Sequence, residues 1–229
     1  MTARYALYAA PAPETPLWRF GSSVIGYDAA AAADRPFPAG APCDAPDWPA
    51  MTEDPRRYGF HGTLKAPFAL ADGAGEADLI EAAMLFAERR QAFTVPQLKV
   101  ALLGAFVALV PDGDCDPLDA LAADCVRAFD VFRAPLTEAD RARRMRSPLS
   151  DRQIAQLAAW GYPYVFADFR FHMTLTGRLE DARREPVAAA LAEHYRAIAA
   201  PLAVDALCLF RQIDRAARFS ILARFPFEA

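Results

Sequence analysis

Two histidines in this sequence are each followed, two positions later, by a threonine. His61 lies in Phe-His-Gly-Thr-Leu and His172 lies in Phe-His-Met-Thr-Leu. Imidazole titrates near neutral pH, so one histidine of such a pair can act as a base while the other acts as an acid. A neighbouring hydroxyl can donate a hydrogen bond to an anionic oxygen. The predicted catalytic residues are therefore His61, Thr63, His172 and Thr174.

Polar and apolar residues alternate around both histidines with the period of a β-strand. Because side chains at i and i+2 share a face, His61, Thr63 and Lys65 lie together on one side of their strand. On the second strand the polar face holds Arg170, His172, Thr174, Thr176 and Arg178. A face that combines histidine, hydroxyl and cation is typical of a cleft wall. We therefore expect Lys65 and Arg178 to neutralise a phosphate, with Arg170 and Thr176 as further substrate-binding residues.

Aromatic residues near the two motifs are candidates for stacking on a base or a sugar. Tyr58 comes just before the first motif and Tyr8 lies on the first predicted strand. Trp160, Tyr162 and Tyr164 precede the second motif. Core packing is an equally good explanation for all of these rings. Tyr58 and Tyr8 are nevertheless included among the predicted substrate-binding residues.

The order strand, helix, strand, strand occurs twice along the chain. The first unit has a strand over 59–70, a helix over 76–91 and strands over 93–103 and 105–110; the second has a strand over 167–179, a helix over 186–199 and strands over 203–212 and 218–225. Strand 4–9 and a short helix over 15–23 precede them, and three helices over 117–132, 137–146 and 150–160 separate them. Proline-rich residues 34–57 predict an irregular excursion.

This duplication predicts an α+β fold with two lobes whose antiparallel sheets face one another around a central cleft. We expect a single bilobal domain over 1–229, with one lobe over about 56–112, the other over about 165–229, and a helical insertion over about 115–161. Ser150 is a plausible N-cap. Pro186 suits the first turn of its helix.

The composition favours a globular protein with a small anionic substrate. Hydrophobic residues make up 54% of the 229 residues, and the formal net charge is −4. Binding duplex nucleic acid requires a broad cationic surface, so we expect no duplex partner. A locally positive cleft for a small phosphorylated substrate is compatible with this balance. The sequence does not indicate an oligomeric state.

Cysteine usage and hydropathy predict a cytoplasmic location. Cys43, Cys115, Cys125 and Cys208 form no C-x-x-C pair, which is typical of reduced thiols. The first residues lack the pattern of a signal peptide, and no apolar run is long enough to cross a bilayer. We expect neither a membrane partner nor a cofactor.

The paired motifs resemble those of the 2H phosphoesterase superfamily, which includes LigT-like proteins. The segments over 58–65, Tyr-Gly-Phe-His-Gly-Thr-Leu-Lys, and over 169–178, Phe-Arg-Phe-His-Met-Thr-Leu-Thr-Gly-Arg, are similar to one bacterial branch, a domain of unknown function associated with phosphonate-utilisation operons. The resemblance implies metal-independent hydrolysis of a cyclic phosphodiester, and the operon association implies a small ribosyl cyclic phosphate. The sequence does not indicate which histidine is the acid.

Three other functions remain open at this point. An enzyme that processes RNA 2′,3′-cyclic or 2′-5′ ends would use the same motifs, although long RNA favours a basic track. A non-catalytic protein could bind a phosphorylated ligand in the same cleft. Asp168 lies four residues before His172, so a His, His, Asp metal site is conceivable, but its spacing is unlike that of common sites. The basic run Arg141, Arg143, Arg144 and Arg146 is either a solvated helix face or a phosphate-binding rim.

Overall fold

A computed structural model describes residues 3–199 and 201–228 of the chain. Its helices are α1 (Pro16–Ile25), α2 (Trp48–Met51), α3 (Glu53–Tyr58), α4 (Glu76–Ala87), α5 (Asp116–Ala128), α6 (Glu138–Arg144), α7 (Asp151–Trp160) and α8 (Asp181–Arg196). Its strands are β1 (Arg4–Ala9), β2 (Tyr27–Asp28), β3 (Ala33–Asp34), β4 (Gly62–Phe68), β5 (Phe93–Val95), β6 (Leu98–Leu103), β7 (Phe106–Pro111), β8 (Met173–Thr174), β9 (Leu202–Val204), β10 (Ala206–Gln212) and β11 (Ser220–Pro226). Short 3₁₀ helices cover Asp130–Phe132 and Phe166–Asp168.

The central element is a seven-stranded antiparallel sheet in the order β11-β10-β1-β4-β8-β7-β6. The mixture of helices with antiparallel strands confirms the predicted α+β class. The two motif strands, β4 and β8, are neighbours in the middle of this sheet. The two halves of the sheet therefore meet edge to edge along the motif strands, whereas the sequence predicted separate sheets that face one another.

Strands from the two duplicated segments exchange places between the halves of the sheet. First-motif strand β4 pairs with β1, and the C-terminal hairpin β10–β11 continues that half. Second-motif strand β8 pairs with β7 of the β6–β7 hairpin, which comes from the first segment. The short strands β5 and β9 also pair across the two segments. Each half of the sheet thus contains residues from both 56–112 and 165–229.

One helix covers each half of the sheet with a narrow apolar stripe. Helix α4 packs on β10 and β11 and buries Leu79, Ala83 and Ala87, which are spaced four residues apart. Helix α8 packs on β6 and β7 and buries Val187, Leu191 and Tyr195 with the same spacing. That spacing places the three side chains of each helix on one face, so burial against the sheet stabilises the helix. Helix α5 packs on β4 near the centre.

Local signals predicted several boundaries correctly. Ser150 caps α7: its hydroxyl accepts the amide hydrogen of Gln153, whose side chain accepts from the Ser150 amide in return. Gly104 has a φ of +63° between β6 and β7, as the predicted hairpin requires. The four cysteines are free thiols, as expected. Among the described residues, no helix is both long and apolar enough to span a bilayer.

Three predicted elements differ from the structure. Residues 34–57 were expected to lack regular elements but contain α2 and α3, because Pro49 and Pro55 both lie in first helical turns, where proline is tolerated. The strand predicted over 167–179 shrinks to the two residues of β8. Helix α8 begins at Asp181, so Pro186 lies inside the helix rather than in its first turn.

Candidate active site

The two motifs form a quartet of side chains where the halves of the sheet meet. Gly62 of β4 pairs with Met173 of β8 in antiparallel register. His61 and His172 come just before β4 and β8. Continued by one residue on either side of the pair, this register sets His61 opposite Thr174 and Thr63 opposite His172, on the sheet face away from the Gly62 and Met173 side chains. Directly opposite residues lie about 5 Å apart and diagonal neighbours about 7–8 Å apart. The two histidines are diagonal neighbours, which leaves room for a tetrahedral phosphate between their rings.

A small residue and a large one allow the motif strands to meet. A Cβ added to Gly62 would lie 2.3 Å from two atoms of the Phe171 ring. The Phe171 side chain therefore occupies the space that any larger residue at position 62 would need. Contact between Phe171 and Gly62 therefore determines how closely the two motifs approach each other.

Both histidines are oriented by the same kind of hydrogen bond. His61 Nδ1 lies 2.8 Å from the Gly59 carbonyl oxygen, and His172 Nδ1 lies 2.8 Å from the Arg170 carbonyl oxygen. Because a carbonyl only accepts, Nδ1 carries the proton in both rings. Each ring then presents Nε2 as its free basic nitrogen. In His61 this nitrogen lies 3.1 Å from the Thr63 hydroxyl, which donates to it.

The environment of His61 strongly favours its neutral form. Its ring stacks on the buried Tyr8 ring with a centroid separation of 3.6 Å and an interplanar angle of 17°. Burial lowers the pKa of His61 to about 4, although the Gly59 carbonyl acts in the opposite direction. The positive charge of His172 lowers it a little further, which places the two rings within electrostatic range. Burial also raises the pKa of Tyr8 well above its ordinary value, so Tyr8 is an uncharged stacking surface.

His172 lies beside an open cavity of about 520 Å³. Thr63, Arg170, Tyr162 and Tyr164 also line this cavity. Burial lowers the pKa of His172 below 6.5, while the Arg170 carbonyl raises it. The cavity thus offers a neutral imidazole, a hydroxyl and an exposed guanidinium to a ligand that enters from solvent.

Three of the predicted substrate-binding residues, Lys65, Arg178 and Tyr58, do not line the His172 cavity. Lys65 is 3% exposed, and its Nζ donates to Asp130 Oδ1 at 3.0 Å and to the Val126 carbonyl oxygen. Its cation therefore already has a partner. Arg178 is exposed and does not line the His172 cavity. Tyr58 stacks on Phe219 at a centroid distance of 5.5 Å and lies 6.5 Å from the His61 ring.

Thr176 was predicted to face the cleft, and the structure corrects this. It is fully buried, its Oγ1 accepts the Val107 amide hydrogen, and its hydroxyl donates to the Gly177 carbonyl. Strand β8 ends at Thr174, and the amides of both Leu175 and Thr176 donate to the same Val107 carbonyl. Strict alternation therefore stops before Thr176, which turns into the core.

Asp168 is unavailable to His172. Its carboxylate binds the Arg152 guanidinium at 2.7 Å and 2.9 Å and accepts a further hydrogen bond from Gln153. Phe106, by contrast, contacts His172 with a ring-centroid distance of 5.7 Å and was not predicted. It belongs to the β6–β7 hairpin, and only the exchange of strands between the halves brings it to the second motif.

The two His-x-Thr motifs, which resemble those of the 2H phosphoesterase superfamily, lie side by side at the centre of the antiparallel sheet. The family described as "Protein of unknown function (DUF1045)" matches residues 63–220. The chain belongs to this family. The match confirms the branch of unknown function that the two motifs indicated.

Curated relatives carry the name ribose 1,5-bisphosphate phosphokinase PhnN. The protein from Janthinobacterium sp. (strain Marseille) is 40% identical over 235 residues, a match that covers 98% of this chain and 51% of that protein. The protein from Laribacter hongkongensis (strain HLHK9) is 35% identical over 223 residues and matches 95% of this chain and 50% of its own length. The chain thus spans about half the length of these relatives.

Solved structures with a similar chain path include phosphoesterases. Escherichia coli LigT complexed with 3′-AMP is 16% identical and has a TM-score of 0.45, and the match covers all of both chains. A structure described as a phosphoesterase is also 16% identical, with a TM-score of 0.43 over all of both chains.

Proposed function

We propose that this protein is a metal-independent phosphodiesterase that hydrolyses a cyclic phosphodiester on a small ribose-like substrate. The observation that supports it is the pairing of Gly62 with Met173, whose register sets each motif histidine opposite the threonine of the other motif. Two histidines whose backbones are diagonal neighbours, about 7–8 Å apart, can contact opposite oxygens of one phosphate. The two hydroxyls are then placed to donate to its non-bridging oxygens.

In this proposal His61 is the general base and His172 the general acid. The pKa of about 4 keeps His61 neutral at pH 7, and its Nε2 can accept a proton from the attacking water once the Thr63 hydroxyl turns to the phosphate. A new P–O bond forms to water while the P–O bond to one ring oxygen breaks. His172 Nε2 gives its proton to that leaving oxygen, and the products are a phosphate monoester and a free hydroxyl.

His172 has to gain a proton before it can act as the acid, and the substrate can provide the driving force. A negative charge about 4 Å from an imidazolium stabilises it by about 4 kcal/mol at an effective dielectric constant of 20. This corresponds to a rise of about three pKa units. Such a rise acts against the effect of burial, which lowers the pKa of His172. The anionic substrate thus charges the catalytic acid as it binds.

The name of the curated relatives supports a particular substrate class. Those proteins are named for a kinase that acts on ribose 1,5-bisphosphate. Hydrolysis of a ribosyl 1,2-cyclic phosphate at its O2–P bond leaves a phosphate on C1. If that ribose also carries a 5-phosphate, the product is ribose 1,5-bisphosphate, which is the compound in the relatives' name. RNA 2′,3′-cyclic ends and non-catalytic binding of a phosphorylated ligand are the alternatives.

The test is a comparison of three histidine variants on defined cyclic phosphates. Chelator-treated wild type, His61→Ala and His172→Ala are incubated with ribosyl 1,2-cyclic phosphate 5-phosphate and with adenosine 2′,3′-cyclic phosphate, and ring opening is followed by ³¹P NMR. We expect each of these two variants to lose a factor on the order of 10²–10⁴ in kcat. His194→Ala is the matched control, because His194 is the third histidine of the chain and lies half-buried on α8, outside the His172 cavity, and it should keep full activity.

Each other result would exclude a part of the proposal. Full turnover in His61→Ala or His172→Ala would exclude two-histidine catalysis. Activity that disappears on chelation and returns with metal would exclude a metal-independent mechanism. Ligand binding without turnover would identify a binding protein. The plot of kcat/KM against pH should be bell-shaped with its maximum below pH 6.5, because the pKa values of both free histidines are lowered.

A further inference from the structure

A second cavity, of about 590 Å³, adjoins the cavity of His172. Tyr162 and Val165 line both cavities, so the two spaces share a wall. Thr63 lines the first and Lys65, two residues further along β4, lines the second. At about 3.3 Å per residue, Thr63 and Lys65 lie about 7 Å apart along this strand. The second cavity is thus next to the proposed reaction centre but contains none of its four motif residues.

The lining of the second cavity is strongly cationic. It includes three carboxylates, Asp72, Asp140 and Asp214, and twice as many cations: Arg4, Lys65, Arg133, Arg143, Arg144 and Arg215. Lys65 and Arg133 share the carboxylate of Asp130. Arg143 and Arg215 share that of Asp140. An excess of positive charge therefore remains, although the whole chain carries a net charge of −4.

Two of these guanidiniums have no carboxylate partner among residues 3–199 and 201–228. Arg4 is 8% exposed and donates only to the neutral Gln212 side chain. Arg144 lies over the Tyr162 ring at 4.9 Å, and its buried Nε has no hydrogen-bond partner. A buried cation without an anionic partner costs free energy, so this arrangement favours an anion that enters the cavity.

The charges in the cavity also act on one another. Burial lowers the pKa of Arg4, and the positive charge of Arg215 lowers it further. Burial and then Arg143 lower the pKa of Arg144 in the same way, against the effect of Tyr162. These arginines come from β1, from α6 and from the turn between β10 and β11. The fold thus gathers like charges from three distant segments against their mutual repulsion.

We propose that this cavity, which we call the arginine subsite (Arg4, Arg143, Arg144 and Arg215), binds a second phosphate, a terminal monoester, of the substrate hydrolysed at the His61–His172 site. Guanidinium groups suit phosphate because they donate paired hydrogen bonds in one plane. The wall that the two cavities share suits a sugar that carries a phosphate at each end. This inference rests on the proposed function for the identity of the substrate, but the subsite itself makes a separate prediction about phosphate monoesters.

The test uses ribose 5-phosphate, which carries a monoester and no cyclic diester. Its binding is measured by calorimetry to wild type, Arg144→Met, Arg146→Met and His61→Ala. Arg144→Met keeps the aliphatic part of the side chain beside Tyr162 and should weaken binding on the order of 10- to 100-fold, the equivalent of one charge-assisted interaction. Arg146 is an exposed arginine of the same run that does not line the cavity, so Arg146→Met is the matched control and should bind as wild type does.

His61→Ala separates the subsite from the reaction centre. It should bind ribose 5-phosphate as tightly as wild type. Binding lost in His61→Ala and kept in Arg144→Met would overturn the subsite, and so would equal binding by Arg144→Met and Arg146→Met. In turnover, a cyclic phosphate with a 5-phosphate should have a kcat/KM at least tenfold above the same compound without it, and Arg144→Met should remove that preference. Equal kcat/KM with and without the 5-phosphate would refute the subsite but not the phosphodiesterase activity. Binding of ribose 5-phosphate without turnover of any cyclic phosphate would support the subsite and refute the phosphodiesterase activity.

Discussion

Acidification should destabilise the wild-type protein more than a variant that lacks the His61 imidazole. The ordinary pKa of histidine is 6.5, and burial against Tyr8 lowers it to about 4 in the folded protein. Between these two values the unfolded chain binds a proton that the folded protein does not bind. The free energy of unfolding therefore falls as the pH decreases from 6.5 to 4.

The size of this effect follows from the pKa shift. Each unit corresponds to about 1.4 kcal/mol, so His61 should account for a loss of about 3 kcal/mol by pH 4. Above pH 6.5 both states are neutral at this residue, and its contribution no longer changes. Below pH 4 both are protonated, and the contribution again stays constant. The effect is thus confined to a defined pH range.

The assay is urea denaturation of wild type and His61→Asn at closely spaced pH values from 7 to 4. The asparagine amide can still donate to the Gly59 carbonyl, so the variant preserves the local hydrogen bond and removes the titrating group. Carboxylates titrate alike in both proteins and cancel in the difference. We expect the two stabilities to converge by about 3 kcal/mol between pH 6.5 and 4. Parallel curves, or an NMR titration that places the His61 pKa near 6.5, would refute the argument that the Tyr8 stack and burial keep this imidazole neutral.

Two further predictions concern residues that the structure removes from the substrate-binding set. Lys65→Met should lower the free energy of unfolding by about 1–3 kcal/mol, because the Val126 carbonyl loses its buried partner. The control Lys99→Met, at an exposed ion pair, should lower it by less than about 1 kcal/mol. Urea denaturation compares the two variants, and equal losses would contradict the buried role of Lys65. Thr176→Val should also lower the free energy of unfolding by about 1–3 kcal/mol, since it leaves the Val107 amide without an acceptor. It should not change KM for a cyclic phosphate. A raised KM with unchanged stability would show that Thr176 binds the substrate after all.

The part of the site that the sequence predicts is local. Alternation along a strand is enough to place His61 with Thr63 and His172 with Thr174, since neighbours two residues apart share a face wherever the strand goes. Ser150 likewise acts on residues one turn away. Thr176 shows the limit of this reasoning: β8 stops after two residues, and alternation holds only within the strand.

The rest of the site depends on which strands become neighbours. Lys65 reads as a phosphate ligand in isolation, but folding brings Asp130 against it from 65 positions away. The exchange of hairpins between halves places Phe106 beside His172. Arg4 of β1 and Arg144 of α6 line one cavity. None of these arrangements leaves a periodic signal in the sequence, because each one brings together residues far apart along the chain.

The junction between β4 and β8 also has a mechanical consequence. A ladder that rests on the single pair Gly62–Met173 offers little resistance to bending, whereas β1 and β4 pair over several residues and β7 and β8 over two. The two histidines lie on opposite sides of this junction, so the spacing of their imidazoles changes when the sheet bends there. A phosphate bound by both motifs would bridge the junction between β4 and β8 and make it more rigid. Catalytic geometry would then be completed by the ligand itself, and the empty protein would be the softer form.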